Sequence, residues 1–556
     1  MKLLSLLKEL SLHPKNTEEL KGLILQLAVE GKLTANWRQE NPNISTQVDK
    51  LASAFKMTSE ELSEHSLSII ELDIPKSWIK AKFSVVFDMK GGSQPPKSNF
   101  IDNPKEGYVQ LYQIRDFGKK PQPVYVPVES VSKLCTTEDI MIGRYGASIG
   151  KVFYGKDGAY NVALVKLIWD NNILLQDFVY QMFSARIIQE FFQNCTRSAQ
   201  AGFNKTDMGK LNITLPPLEE QKAIVEVVNQ LFTEVEQLEE LTKERISLKE
   251  DFVTSALRRL TETDNTTQEW NYLQQHFSSF FTEKKNIKSL RETILQLAVQ
   301  GKLTAQWREE NPSVQNASEL LKRIEAEKQQ LIAEKKIKKE KPLPIIEDKD
   351  KPYELPESWV WCKLTELVNV GTGSTPATTN SSYYHEGTIP WYTSSATNDD
   401  FAKVQDKLIT QKAIDETNCK IFPEGSLIIA LYGQGKTRGQ ISEIVVPGAT
   451  NQAIAAMVFF NTSSGTKEYL KLFFKKMYHE IRLLAEGGAQ PNLNVGKIKA
   501  TIVPLPSLEE TVVIIEKVNA LLALCDELEQ QVDNSQIQIE QLMKSCLKEV
   551  FEQESN

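Results

Sequence analysis

Two stretches of the chain repeat apolar residues at alternating spacings of four and three, the mark of a helix with a single buried seam. After Pro216 and Pro217 the series is Ile224, Val228, Leu231, Val235 and Leu238. After Pro506 it is Ile514, Val518, Leu521, Cys525, Leu528 and Val532, continuing at Ile539, Leu542 and Cys546. Both begin Leu-Glu-Glu, with acids in the first turn where the helix dipole favours them. The spacing predicts helices of about 30 residues or more, roughly 45–60 Å long. Matching seams suggest that the two helices pair as a rigid spacer; docking of each seam on its own globule is the alternative. Between them the pattern changes to short β-branched and aromatic runs punctuated by Gly, Pro and Asn, which predict strands: PVYVPVESV (123–131), IMIGRYG (140–146), SLIIALYG (426–433) and ISEIVVPG (441–448). Further helices are expected near 177–193 and 466–485. The leucine-rich start MKLLSLLKELSL is broken by Lys8 and Glu9 and is expected to be an amphipathic helix rather than a secretory signal.

These elements occur twice because the chain is internally duplicated. LILQLAVEGKLTANWRQENPN (23–43) returns as TILQLAVQGKLTAQWREENPS (293–313). IPKSW (74–78) answers LPESW (355–359), GGSQP (91–95) answers TGSTP (372–376), and GAYNVALVKL (158–167) answers GATNQAIAAM (448–457). GRYGASIGK (143–151) answers LYGQGKTRG (431–439) only through its Tyr-Gly pair, and LPPLEEQKAIVEVVNQL (215–231) returns as LPSLEETVVIIEKVNAL (505–521). A unit of this length is far too long for a solenoid repeat. The expected class is α+β, with a pseudo-twofold duplication: two homologous globules separated by long helices forming an antiparallel coiled coil. The expected regions are an N-terminal helical region (1–73), a first globule (74–217), a central helical region with a charged linker (218–353), a second globule (354–505) and a C-terminal coiled-coil helix (506–556).

Charge adds a direction to this layout. The net charge of −8 over 556 residues argues against a nucleic-acid binder until it is divided along the chain. Residues 76–215 hold 18 Lys/Arg against 12 Asp/Glu, whereas 506–556 hold 3 against 11. Positive field on the first globule suits a phosphate-facing surface, and acidic helices suit protein partners or water. The six cysteines form no close pair, which argues against a metal site and fits a reducing cytoplasm. No apolar run is long enough to span a bilayer, so no membrane role is expected.

With the duplication in view, the ordered motifs carry a resemblance. LPPLEEQKAIV (215–225) and LPSLEETVVI (505–514), ELPESWVWCKL (354–364) with GTGSTP (371–376), YYHEGTIPWYTSS (383–395), GATNQAIAAM and GGAQPNLNVGKIKATIVPLP (487–506) resemble the specificity (S) subunit of type I restriction–modification systems. ILQLAVQGKLTAQW (294–307) with the charged helix 319–342 resembles the longer members. The likeness covers nearly the whole chain, in order and twice. It departs in the first globule, where GGSQPP and AGFNKTD replace the usual motifs, and at Thr511, which stands where the first copy has Gln221.

The resemblance implies two target recognition domains, each reading one half of a split double-stranded DNA sequence, on an antiparallel coiled-coil ruler. It implies docking of two modification (methyltransferase) subunits and of restriction (endonuclease/translocase) subunits, in the cytoplasm. S-adenosylmethionine, ATP and magnesium are expected only in those partners, with no cofactor, metal or catalytic residue in this chain. Base readout calls for Arg or Lys on guanine, Asn or Gln on adenine and small hydroxyls; positioning calls for cations on phosphates. On Gly-punctuated polar loops the candidates in the first globule are Gln94, Lys97, Arg115, Arg144, Tyr145, Lys151, Arg197, Gln200 and Lys205. In the second they are Ser374, Thr375, Tyr392, Ser394, Asn398, Tyr432, Gln434, Lys436, Arg438, Gln490 and Asn492. Asn204, Asn451 and Asn494 are expected to shape turns. The segment 430–437 fits a relaxed phosphate-loop pattern, but residues 438–448 read as a strand rather than the helix such a loop needs. A non-DNA-binding coiled-coil scaffold joining two protein-interaction globules stays open as the alternative.

Overall fold

The computed structural model of the protein describes residues 17–43, 53, 74–195, 202–263, 266–404, 407–433, 437–486 and 493–552. The leucine-rich start read as an amphipathic helix lies outside them. The chain divides into two compact units, residues 1–246 with 537–556 and residues 247–536.

In the first unit, β1 (Ile79–Lys82) and β10 (Asn212–Leu215) form an antiparallel ribbon that brings the ends of the globule together. Between them the chain builds two four-stranded sheets. One has the order β2 (Asp88–Gly91), β9 (Leu164–Ile168), β6 (Ile140–Gly143), β7 (Val152–Tyr154), antiparallel throughout. The other has the order β4 (Tyr125–Pro127), β3 (Tyr108–Tyr112), β8 (Gly158–Tyr160), β5 (Leu134–Cys135), with β3 and β8 parallel. Around them lie α1 (Thr17–Val29), α2 (Gln176–Ser184), α3 (Arg186–Cys195) and the start of α4 (Leu218–Glu262). The single helix expected near 177–193 is therefore two, parted at the buried Ala185.

The second unit repeats this plan. β11 (Val360–Lys363) and β21 (Ile502–Leu505) form the ribbon. One sheet has the order β12 (Val368–Thr372), β20 (Ile454–Phe459), β17 (Leu427–Ala430), β18 (Ile441–Ile444), β14 (Phe401–Ala402). The other has the order β15 (Leu408–Ile409), β13 (Ile389–Tyr392), β19 (Gly448–Thr450), β16 (Ile421–Phe422), with β13 and β19 parallel. Strand for strand this matches the first unit, with β14 as an addition at the edge. The unit also holds α5 (Lys284–Val299), α6 (Ala317–Ala333), α7 (Lys467–Glu486) and most of α8 (Leu508–Glu552). In the charged stretch after α5 the expected helix is α6, and it packs into this body. Leu320 and Ile324 of α6 are in its core, and the Glu327 carboxylate accepts from the N–H groups of Asn461 and Thr462, at 2.8 Å each.

Both closing helices run 45 residues, about 68 Å at 1.5 Å per residue, longer than their seams alone suggest. Their seams are used first inside their own half. Ile224, Val228, Leu231 and Val235 are buried in one core with Leu20, Ile24 and Leu27 of α1, and Leu238 packs at its edge. Ile514, Val518, Cys525, Leu528 and Val532 do the same with Leu290, Ile294 and Leu297 of α5, with Leu521 partly covered. Lys21–Glu236 in the first unit, and Lys284–Asp533 and Arg291–Asp526 in the second, show that opener and closing helix run antiparallel. The named seam residues therefore pack within their own half, as the docking alternative has it, each on a long helix antiparallel to its opener.

The longest sequence repeat has a physical explanation in these helix starts. In the first unit Thr34 Oγ1 donates to Glu220 Oε1 at 2.7 Å, and Arg38 bonds the same oxygen. Arg38 also donates to Thr34 Oγ1 at 3.0 Å and to the Gly31 carbonyl at 2.6 Å. In the second unit Thr304 (2.5 Å) and Arg308 bond Glu510, and Arg308 reaches the Gly301 carbonyl at 2.6 Å. There Trp359 Nε1 completes the carboxylate's shell at 2.8 Å. Gly31 and Gly301 take positive φ, and a side chain on either would strike Pro75 or Pro356. Opener, Pro-x-Ser-Trp and Leu-Glu-Glu motifs thus converge on one buried clamp per half.

Candidate nucleic-acid interface

The loops that follow β2, β3, β6 and β8 meet at one end of the first globule. Strands β3 and β8 stop together at Tyr112 and Tyr160, and the next residue, Asn161, holds the junction. Its N–H donates to the Tyr112 carbonyl (3.0 Å) and its Oδ1 accepts from the Ala163 N–H (3.1 Å). Ser93 N–H donates to the Tyr160 carbonyl (3.1 Å) and Arg144 N–H to the Ala163 carbonyl (2.8 Å), which ties in the neighbouring loops. The second globule has the same hub at Asn451, bonded to the Tyr392 carbonyl (3.0 Å) and to Ala453 N–H (3.0 Å), with Leu431 N–H on the Ala453 carbonyl (2.8 Å). A Cβ on Gly92 would stand 2.1 Å from the Asn161 carbonyl oxygen, and one on Gly373 would stand 1.6 Å from that of Thr450. Backbone must touch backbone there, which is why GGSQP and TGSTP carry glycine at this register.

Most candidates of the first globule border this hub. Gln94 and Lys97 are exposed on the loop after β2. The β6–β7 hairpin carries Arg144, Tyr145 and Lys151. Arg144 is half-buried, donates from Nε to the Phe203 carbonyl (3.0 Å) and lies 5.0 Å over the Tyr145 ring, so it shapes the site as well as lining it. Tyr145 is 42% exposed, and Lys151 is exposed. Lys205 is exposed but bonded to Asp88 at 2.5 Å. That bond, with the Met89 N–H, holds the Asp88 carboxyl below its usual range. Arg115 stands on the loop after β3, where the buried Asp116 accepts from the N–H groups of Gln113 (2.8 Å) and Gln122 (3.1 Å) and fixes the turn. Lys119 and Lys120, exposed on the same loop, are additions to the candidates; a Lys-Lys pair between Gly and Pro just after a strand is the signal for them. Arg197 and Gln200 lie outside the described residues.

In the second globule Thr375 is exposed and its hydroxyl donates to Gln452, an exposed residue directly after Asn451 that sequence reasoning passed over. The Ser374 carbonyl accepts from Trp391 Nε1 (3.2 Å) and Cys419 Sγ (3.2 Å), so its backbone is structural while its half-buried side chain borders the loop. Ser394 begins a 3-10 turn that ends at the exposed Asn398, whose Oδ1 accepts from Thr437 at 3.5 Å. Tyr432 is 40% exposed at the position equivalent to Tyr145. Arg438 is half-buried, and its Nε finds no hydrogen-bond partner among the described residues. Tyr392 is a correction. Its ring is wholly buried in a core cluster and its hydroxyl donates to the Val446 carbonyl at 2.7 Å, so the side chain cannot reach a ligand. Gln434, Lys436, Gln490 and Asn492 lie outside the described residues.

Asn204 and Asn494 cap the short helices 205–208 and 495–500 through their side chains. Strand β18 follows the 430–437 segment and pairs antiparallel with β17, so the described residues after that segment lead into a strand and not into the helix a phosphate-binding loop opens. Among the described residues no cluster of His, Cys, Asp and Glu could hold a metal ion, and no helix is long and apolar enough to cross a membrane. Each hub therefore presents cations, amides and hydroxyls on loops held rigidly at their roots. Those groups suit phosphate contact and base-edge reading.

A family model described as the type I restriction modification DNA specificity domain matches twice, over residues 75–248 and 356–538. The chain belongs to that family. Its two matches fall on the two halves found in the fold, and membership makes this a DNA-recognition chain rather than a catalytic one. Among relatives, the specificity subunit of the type I restriction enzyme EcoAI of Escherichia coli is 31% identical over 334 residues, 57% of this chain and 54% of that subunit. The alignment thus spans about half of that relative. The EcoEI specificity subunit of Escherichia coli is 25% identical over 93% of this chain and 91% of its own. A chain from a solved structure of a type I R-M system aligns over 85% of this chain and 97% of its own, at 14% identity and a TM-score of 0.48, too distant to carry geometry across.

Proposed function

We propose that this DNA-specificity subunit reads a bipartite double-stranded target, one block at each hub, and that the paired closing helices set the gap between the blocks. In this reading it docks two modification (methyltransferase) subunits, and restriction subunits join them in the cytoplasm. S-adenosylmethionine, ATP and magnesium belong to those partners. The observation that carries the reading is the construction of the same loop hub twice, on matching strands, with different side chains at its rim. Shared scaffolding with unshared rims is what two half-sites of different sequence require.

The test is an adenine-methylation map of cells expressing this chain with its neighbouring modification subunit. A new motif of two short blocks around a fixed gap is expected, and replacing residues 74–215 should change one block only. Inserting one heptad, about 10 Å of helix, into both closing helices should lengthen the gap by about three base pairs at 3.4 Å each. A soluble complex without methylation, and without salt-dependent DNA binding, would favour the scaffold alternative.

A further inference from the structure

We infer that the two buried clamps, Arg38–Glu220 and Arg308–Glu510, are positioning devices for spacer length: they fix the angle at which each closing helix leaves its globule. This inference rests on the bipartite target proposed for the chain.

Burial makes the clamps poor candidates for stabilising devices. The Glu220 and Glu510 side chains are 0% and 1% exposed, and their arginines 18% and 20%. A buried ion pair seldom stabilises more than apolar side chains of the same volume, because desolvation offsets the attraction; its attested use is to fix a register. The duplicated chain nevertheless keeps the pair in both halves, at the same structural position.

The geometry gives such a pair something to fix. Glu220 and Glu510 sit in the first turn of a long helix. Each arginine donates to three acceptors from two segments: the helix carboxylate, the threonine hydroxyl and a glycine carbonyl of the opener. A planar fork with three fixed partners is directional, so it sets the orientation of the helix start as well as its contact. Beyond the last seam residue packed in its own half, Leu238 in α4 and Val532 in α8, the helices run on for 24 and 20 residues, about 36 and 30 Å. Over that length a swing of roughly 6° displaces the far end by about 3–4 Å, close to the 3.4 Å rise of one base pair. Discrimination of a gap to one base pair therefore needs each helix held to a few degrees, and the clamp fixes the root from which its seam runs.

The experiment uses the full chain with its modification subunit and compares Glu510→Gln, Arg308→Lys and Thr304→Val with a core control off the closing helices, Leu470→Ala, which is fully buried on α7. Arg308→Lys keeps the charge, loses the fork and is the variant least able to unfold the protein. Each complex is mapped for methylated sites and titrated with duplexes carrying the wild-type gap or gaps one pair shorter or longer. The expected result is unchanged blocks with mixed gap lengths, and discrimination against the wrong gaps reduced about tenfold, the order of one lost charge-assisted hydrogen bond. Leu470→Ala should lower yield or stability and keep a single gap. A single wild-type gap in every soluble clamp variant would overturn the inference. Absence of any two-block motif with the wild-type chain would instead refute the bipartite reading itself.

Discussion

Substituting Gly373 by alanine tests whether the loop hub governs recognition. The new Cβ would stand 1.6 Å from the Thr450 oxygen and 2.4 Å from the Thr450 carbon. Both are backbone atoms, so no side-chain rotation relieves the overlap. Ordinary contact requires the two strands to part by about 1.5 Å or more. That movement breaks the Asn451–Tyr392 bond and strains Leu431–Ala453 and Thr372–Ile454, at 3.0, 2.8 and 2.8 Å. Two or three hydrogen bonds at about 1 kcal/mol each, with the strain of overpacking, give a loss of about 2–4 kcal/mol. Urea unfolding of the full chain measures it, and methylation mapping reports whether the second block alone is lost. Gly425→Ala is the control: its φ is +81° but only Lys467 Nζ comes within 4.0 Å, so the cost is the backbone term of about 1 kcal/mol. A loss at Gly373 no larger than at Gly425, with the second block intact, would refute the argument that this close approach builds the site.

Tyr392→Phe should cost about 1 kcal/mol of stability through the lost bond to Val446 and leave the recognised sequence unchanged; an altered sequence would return Tyr392 to the interface. Asp88→Asn should free Lys205, tighten DNA binding at low salt and steepen the salt dependence by about one phosphate contact, read from log affinity against log salt. Because the Asp88 carboxyl titrates below its usual range, its pairing is intact above that range and is lost only as pH falls through the lowered value. Binding between pH 6 and 9 should therefore be insensitive to it. Burial pushes the Cys525 thiol up to about 11, so at pH 8 only about one thiol in a thousand is ionised and alkylation should await unfolding. Rapid native labelling at Cys525 would show that its seam opens.

Periodicity and repetition made the architecture legible. The 4-3 seams marked α4 and α8, and short apolar runs marked β6, β17 and β18. What repetition could not reveal is why a segment repeats. The best-matched motif, with Thr34, Arg38 and their counterparts, is buried scaffold, while the functional hubs share mainly Gly92 and Gly373, Asn161 and Asn451, and Tyr145 and Tyr432. Selection of candidates by residue type failed at Tyr392 because a tyrosine before a polar run reads alike whether it points inward or outward. It passed over Lys119, Lys120 and Gln452 because their place beside the hub arises from the β3–β8 and β13–β19 pairings, which local sequence does not announce. The seams misled in one respect: heptad spacing shows that a helix has one buried stripe and leaves its partner unspecified.

The first unit includes residues 537–556, and Ile539 packs against its core. A ribosome adding about 5–20 residues per second leaves roughly 15–60 s between residue 246 and residue 537. During that interval the earlier-made half waits for the last piece of its own interior while the whole of its twin emerges. The nascent chain must keep two look-alike halves from exchanging helices, and the helix starts differ in a way that tells them apart: Gln221 bonds Ile173 and Leu175 of its own globule, whereas Thr511 at the same place bonds Ser507.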